Sequence, residues 1–70
     1  MIINAKIRTN QPKFKVEKKS EVDWIISVTS NPKDNEANLE LIKELKKLHF
    51  ITRILRGSKS KEKTLKLESL

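Results

Sequence analysis

The sequence contains no cysteine, no tyrosine, one glycine and two prolines among its 70 residues. The absence of cysteine excludes a disulfide scaffold, a thiol nucleophile and a thiolate zinc site. So little glycine and proline argues against a disordered linker. The longest apolar runs, such as residues 24–26, have three residues, whereas roughly 20 are needed to span a bilayer. We therefore expect a folded protein without a membrane span.

The sequence does not open with a charged segment followed by an apolar one, so we expect no secretory signal. Together with the lack of cysteine, this predicts a cytoplasmic protein. We expect one domain, residues 1–70. A domain of this size buries only about 60% of the surface of its unfolded chain, so we expect a monomer of modest stability.

Apolar and polar residues alternate in four stretches, and a period of two is typical of strands with one buried face. A fifth stretch, residues 51–56, is rich in β-branched residues and precedes the only glycine, Gly57, which favours another strand. The alternating apolar residues are Ile3, Ala5 and Ile7; Phe14 and Val16; Trp24, Ile26 and Val28; and Leu65 and Leu67.

Residues 36–48 have the pattern of an amphipathic helix. Asp34 or Asn35 is expected to cap its first turn by accepting bonds from free amides. The apolar stripe consists of Ala37, Leu41, Leu45 and Leu48, widened by Ile42.

The elements follow the order β-β-β-α-β-β. Because one helix covers only one face of a sheet, this order predicts a two-layer α+β domain, with the helix packed on a small mixed sheet. The sheet residues expected beneath the helix are Ile3, Ile7, Phe14, Trp24, Ile26, Val28, Ile54, Leu65 and Leu67.

Positive charge is concentrated near the two ends of a sequence whose formal net charge is +7. Residues 1–16 carry four basic groups and no acid, whereas residues 53–66 carry six basic groups and one acid. If the first and last strands are neighbours, the two segments form one patch that attracts polyanions. The alternative is that these lysines only keep the protein soluble and protect edge strands from aggregation.

The strands offer no series of exposed aromatic side chains on which bases could stack. Trp24, the only tryptophan, fits a core position better than a stacking platform. Any nucleic-acid binding is therefore expected to use the phosphate backbone and to be sensitive to salt.

No set of residues predicts a catalyst. His49 is the only histidine, and it falls at the expected end of the helix, where a cation suits the helix dipole. With no second histidine and no cysteine, a transition-metal site is not expected. Ser58 and Ser60 have no base near them in the sequence. We expect no catalytic residue, no metal and no cofactor, and an enzyme stays open as the less favoured class.

Two segments are more specific than a generic domain requires. Asn38, in the first helical turn, is expected to point inward and to bond backbone groups of a neighbouring loop. Residues 57–63 combine a glycine with two serines and three lysines. This loop either holds a phosphate or sulfate on its amides and hydroxyls or is an ordinary turn between two strands.

The two segments together resemble the YggU-like family of small uncharacterised proteins. These share a Pro-x-Asp-Gly-Lys-Ala-Asn stretch and a later Gly-x-Ser-Arg-x-Lys stretch or a version of it that is one residue longer. The resemblance implies a compact α/β fold and no settled activity. The sequence differs from the family pattern at Asn35, where the family has glycine, and at Lys61, where the family has arginine. If the arginine binds an anion in relatives, binding at Lys61 would be weaker, because lysine lacks the bidentate geometry of arginine. The matching residues are Pro32, Asp34, Ala37, Asn38, Leu41 or Ile42, Leu45, Gly57, Ser58, Ser60 and Lys63.

We expect a non-enzymatic basic module that binds RNA, another nucleic acid or another polyanion. The first alternative is a protein-interaction module in a larger assembly, with Ile25 and Phe50 in an apolar patch. The second is a small-molecule or enzyme site around Asn38 and the Gly57 loop. Asp34, Asn35 and Asn38 are expected to brace the loop. The candidate polyanion-binding residues are Arg53, Arg56, Gly57, Ser58, Lys59, Ser60, Lys61, Lys63 and Lys66.

Overall fold

A computed structural model describes residues 1–33 and 35–70. The elements appear in the predicted order, five strands and one helix. They are β1 (Ile2–Arg8), β2 (Lys15–Lys18), β3 (Asp23–Ser27), α1 (Glu36–Lys47), β4 (Phe50–Arg56) and β5 (Glu62–Ser69).

The strands form one mixed sheet in the order β2-β3-β1-β5-β4. β1 runs parallel to β3 and antiparallel to β5, and the other two pairings are antiparallel. The first and last strands are therefore hydrogen-bonded neighbours in the middle of the sheet. This pairing satisfies the condition under which the two basic segments come together.

The helix packs on one face of the sheet, which confirms the predicted two-layer α+β fold. Beneath it, most inward positions of the strands are buried as the alternation predicted, although Phe14, Val16 and Ile54 are only partly buried. Full burial of one such side chain contributes about 1.5–3 kcal/mol. The buried core consists of Ile3, Ala5, Ile7, Trp24, Ile26, Val28, Ala37, Leu41, Leu45, Leu65 and Leu67.

The two ends of the helix differ from the prediction. Asn35 occupies the N-cap position, but its side chain makes no capping bond, while Asp34 lies outside the described residues. Leu48 was expected in the buried stripe but is 50% exposed, because the regular helix ends at Lys47. The chain then turns at His49, which has a φ of 70°, and this left-handed residue redirects the backbone into β4.

A β-bulge interrupts the pairing of β4 with β5 between Ile54 and Arg56. A bulge places two residues of one strand opposite a single residue of its partner. It therefore changes which side chains share a face beyond Ile54. No helix in the described ranges is long and apolar enough to cross a membrane.

Candidate anion-binding surfaces

The face of the sheet opposite the helix carries one group of the predicted binding residues. Arg53 lies directly opposite Lys66, and Arg56 lies opposite Thr64. Residues directly opposite one another share a face, and Thr64 and Lys66 are two apart on β5. Arg53, Arg56 and Lys66 therefore form one basic cluster, which we call the sheet cluster.

Charge on this face is mixed, and one acid, Glu68, lies beside the sheet cluster itself. Lys6 of β1 is paired with Glu62 of β5, and Lys66 lies 3.5 Å from Glu68. The opposed positive charges of Arg53 and Lys66 repel one another. A bound phosphate would relieve that repulsion, so the sheet cluster is the part of the face best suited to an anion.

The loop of residues 57–61, between β4 and β5, carries the second group. Gly57 has a φ of 76°, and a Cβ built there would collide with the carbonyl oxygen of Glu62. The amide of Ser60 donates to the carbonyl of Gly57 at 2.9 Å, and its hydroxyl oxygen accepts from the amide of Glu62 at 3.1 Å. The conformation of Gly57 and the two hydrogen bonds of Ser60 thus stabilise the turn itself.

Lys63 differs from the other predicted binding residues because it lies on the inner face of β5 and is only 6% exposed. Its ammonium group donates to the carbonyls of Gly57 at 2.9 Å and Ser58 at 3.0 Å. Burial lowers the pKa of Lys63. The period of two that predicted Leu65 and Leu67 as inward residues also applies to Lys63, and this was the signal that sequence reasoning missed.

Asn38 joins the helix to the loop, as predicted. It is 6% exposed, and its Nδ2 donates to the carbonyl of Ser58 at 2.8 Å and to Oδ1 of Asn35 at 2.5 Å. Asn35 has a φ of 63°, the left-handed conformation that asparagine tolerates better than most residues. Ser58 therefore receives donors from both Asn38 and Lys63, one from each layer of the fold.

A cleft of about 600 Å³ lies between the start of α1, the loop and the end of β1. The amide of Ile7 donates to the carbonyl of Lys61 at 2.6 Å, which holds the loop against β1. The cleft has the size of a small-molecule site. Its lining residues are Ile7, Thr9, Pro32, Asn35, Ala37, Asn38, Ser58, Lys59, Ser60, Lys61 and Lys63.

The residues predicted to form one polyanion site therefore lie on two separate surfaces. The sheet cluster lies on the open face, whereas Ser58, Lys59, Ser60 and Lys61 line the cleft on the helix side. These groups are close in the sequence but separated in space. Asn38 of the helix holds the loop at Ser58, whereas the sheet cluster occupies outward positions of β4 and β5.

The predicted apolar patch is not assembled by the fold. Ile25 is half-buried on the open face, whereas Phe50 packs against the core. The Phe50 ring meets Trp24 edge-on with 6.2 Å between centroids. Ile2 and Ile51 are instead the exposed apolar residues of the open face.

The described residues contain no cluster of three or more potential metal ligands. His49 is exposed at the end of the helix. Comparison of the sequence with protein-family models and with curated proteins finds no match. The resemblance to the YggU-like family is thus a hypothesis carried by the residues quoted above.

Proposed function

We propose that this protein is a non-enzymatic module that binds RNA or another nucleic acid through its phosphate backbone. The observation that carries this proposal is the sheet cluster, in which Arg53 opposes Lys66 and the bulge turns Arg56 to the same face. The geometry favours phosphates because arginine donates in a planar fork that matches their oxygens. The YggU-like resemblance, which implies no settled activity, is part of this hypothesis and adds no specificity to it.

Binding of this kind is independent of sequence and strongly dependent on salt. Two of the three aromatic residues, Trp24 and Phe50, contact one another, and Phe14 is packed against the core. The sheet cluster therefore has no stacking partner for bases among the described residues. Phosphate contacts supply affinity through counterion release, with a slope of about −0.7 per neutralised phosphate for single strands.

The test compares the triple variant R53Q, R56Q, K66Q with the unmodified protein on short mixed-sequence RNAs at several salt concentrations. We expect weaker binding to every RNA and a salt slope shallower by about 2, because three phosphate contacts are lost. Fluorescence anisotropy measures both quantities.

The matched control is K13Q, K43Q, K46Q, which removes three positive charges from exposed residues away from the open face. We expect this control to bind RNA nearly as well as the unmodified protein. If both triple variants bound RNA equally weakly, the binding would depend only on the net charge of +7 and not on the position of the basic residues. This result would contradict the proposed site.

A second candidate function is a protein-interaction module. The observation in its favour is that Ile2 and Ile51 are each more than half exposed on the open face, beside the sheet cluster. A protein partner would be retained at high salt and lost on Ile51→Ser, whereas nucleic-acid binding would show the reverse pattern.

A further inference from the structure

We propose that the cleft between α1, the loop and β1 binds a phosphomonoester of nucleotide size. Its volume of about 600 Å³ lies in the range of roughly 300–1,000 Å³ found for small-molecule sites. This site does not depend on the proposed function, because it lies on the helix side of the sheet and shares no lining residue with the sheet cluster.

The polar side of the cleft fits a phosphate group. Of the described lining residues, three are lysines and none is acidic. Lys59 and Lys61 are exposed on the loop, while the buried Lys63 places a third amine at the base of the cleft. The hydroxyls of Ser58 and Ser60 add neutral donors, since a serine that accepts one bond still has its own O–H to give.

The amine of Lys63 is held in one position before any ligand arrives. Its bonds to the carbonyls of Gly57 and Ser58 are 2.9 and 3.0 Å long. The second of these carbonyls is also bonded by Asn38. Because this network is already formed, less side-chain entropy is lost on binding than at a flexible surface lysine.

The size of the cleft indicates that the ligand is larger than phosphate. An inorganic phosphate would fill only a small part of its volume of about 600 Å³ and would leave Pro32 exposed at its apolar side, where the buried Ile7 and Ala37 form the wall. A nucleoside attached to the phosphate would occupy the remaining volume and cover Pro32. The ligand class is therefore a nucleoside monophosphate, either as a free nucleotide or as the phosphorylated end of an RNA strand.

The experiment titrates the ¹⁵N-labelled protein with each of the four nucleoside 5′-monophosphates. Parallel titrations use the matching nucleosides, inorganic phosphate and an RNA with or without a 5′-phosphate. We expect saturable shifts of the amides of Ala37, Ser58 and Lys59 with a mononucleotide, and much weaker effects with the nucleoside or phosphate alone. A response to the phosphorylated RNA that is absent for the unphosphorylated one would assign the strand end as the source; a response to the free nucleotide alone would assign the small molecule.

The variant K59Q, K61Q is expected to weaken mononucleotide binding by about tenfold or more, because two charge-assisted contacts are lost. These residues are exposed, so the fold should be retained. The variant K43Q, K46Q removes two positive charges from exposed helix residues that do not line the cleft. It is the matched control and is expected to leave mononucleotide binding unchanged. Absence of cleft shifts, equal shifts with the bare nucleoside, or equal weakening by the two double variants would overturn the proposal. None of these outcomes bears on RNA binding by the sheet cluster, which is measured separately.

Discussion

At the scale of single residues, several positions adopt conformations that their side chains do not favour. Asn10, Asn35 and His49 all have positive φ without being glycine. A left-handed conformation costs a non-glycine residue about 1–2 kcal/mol. Asparagine and histidine are among the residues that accept it most often, so the chain changes direction next to its strands and helix at a modest cost.

Gly57 is the residue whose replacement is expected to be most harmful. Its φ is positive, and a Cβ would collide with the carbonyl oxygen of Glu62. Gly57→Ala is therefore expected to lower the free energy of unfolding by at least about 2 kcal/mol. Urea denaturation followed by circular dichroism would measure this loss.

The control for this prediction is the opposite change at the end of the helix. His49 has a φ of 70°, so His49→Gly removes a strained residue and is expected to raise the free energy of unfolding by about 0.5–1 kcal/mol. A Gly57→Ala variant as stable as the unmodified protein would show that the loop has a different conformation in solution.

At the scale of elements, Glu40 fixes the helix to the segment that precedes it. Its carboxylate accepts from the amides of Thr29 and Ser30 at 2.8 Å each and from their hydroxyls at 2.9 and 2.6 Å. Burial alone would raise the pKa of Glu40, but these bonds outweigh it and hold the pKa below its usual value. Glu40 lies outside the apolar stripe of the helix, and no pattern in the sequence revealed this contact.

Glu40→Gln is expected to lower the free energy of unfolding by about 1–3 kcal/mol at pH 7, because an amide replaces a carboxylate that accepts four bonds. The pKa of Glu40 is lower in the folded than in the unfolded state. The contribution of the Glu40 carboxylate to the free energy of unfolding is therefore complete above the unfolded pKa of 4.5. It is lost as the pH falls through the lower pKa of the folded state. The stability difference between the two proteins should shrink when urea denaturation is repeated at pH 3.

Glu21→Gln provides the comparison, since Glu21 is exposed in a turn and its side chain has no described hydrogen-bond partner. This variant is expected to be within about 0.5 kcal/mol of the unmodified protein. A stability difference for Glu40→Gln that is the same at pH 3 and pH 7 would contradict the role assigned to the carboxylate.

At the scale of the whole molecule, the loop of residues 57–61 connects the two layers. Asn38 reaches it from the helix, and Lys63 reaches it from the sheet; both donate to Ser58. The loop is consequently part of the tertiary structure and not a free hairpin turn. The cleft owes its shape to this connection.

Asn38→Ala is expected to lower the free energy of unfolding by about 1–2 kcal/mol, because the carbonyl of Ser58 loses one of its donors and the buried side chain of Asn38 is removed. The larger effect should be local, with faster amide hydrogen exchange at residues 58–61. Asn31→Ala is the control, because the Asn31 side chain bonds only the nearby amide of Lys33 in the described structure. Unchanged exchange in the loop would show that Asn38 does not hold it.

The secondary structure was predictable from the sequence because it depends on local periodicity. The alternation of Ile3 to Ile7 and of Trp24 to Val28 identified the buried faces of two strands, and the burial of both confirms it. The spacing of Ala37, Leu41 and Leu45 identified the helix in the same way. Asn38 was correctly predicted to reach a neighbouring loop, because its place in the first turn follows from helix geometry alone.

The division of the basic residues into two surfaces was decided only by the tertiary structure. The bulge that turns Arg56 toward Arg53 arises from pairing with β5, and strand pairing between distant segments leaves no local pattern to read. The same holds for Glu40, whose partners lie ten and eleven residues away. The sequence by itself determined which residues are apolar, how they repeat and where charge accumulates along the chain. The folded structure alone decided which of those charges meet, because that depends on strand order and register, set by packing of the whole core at once.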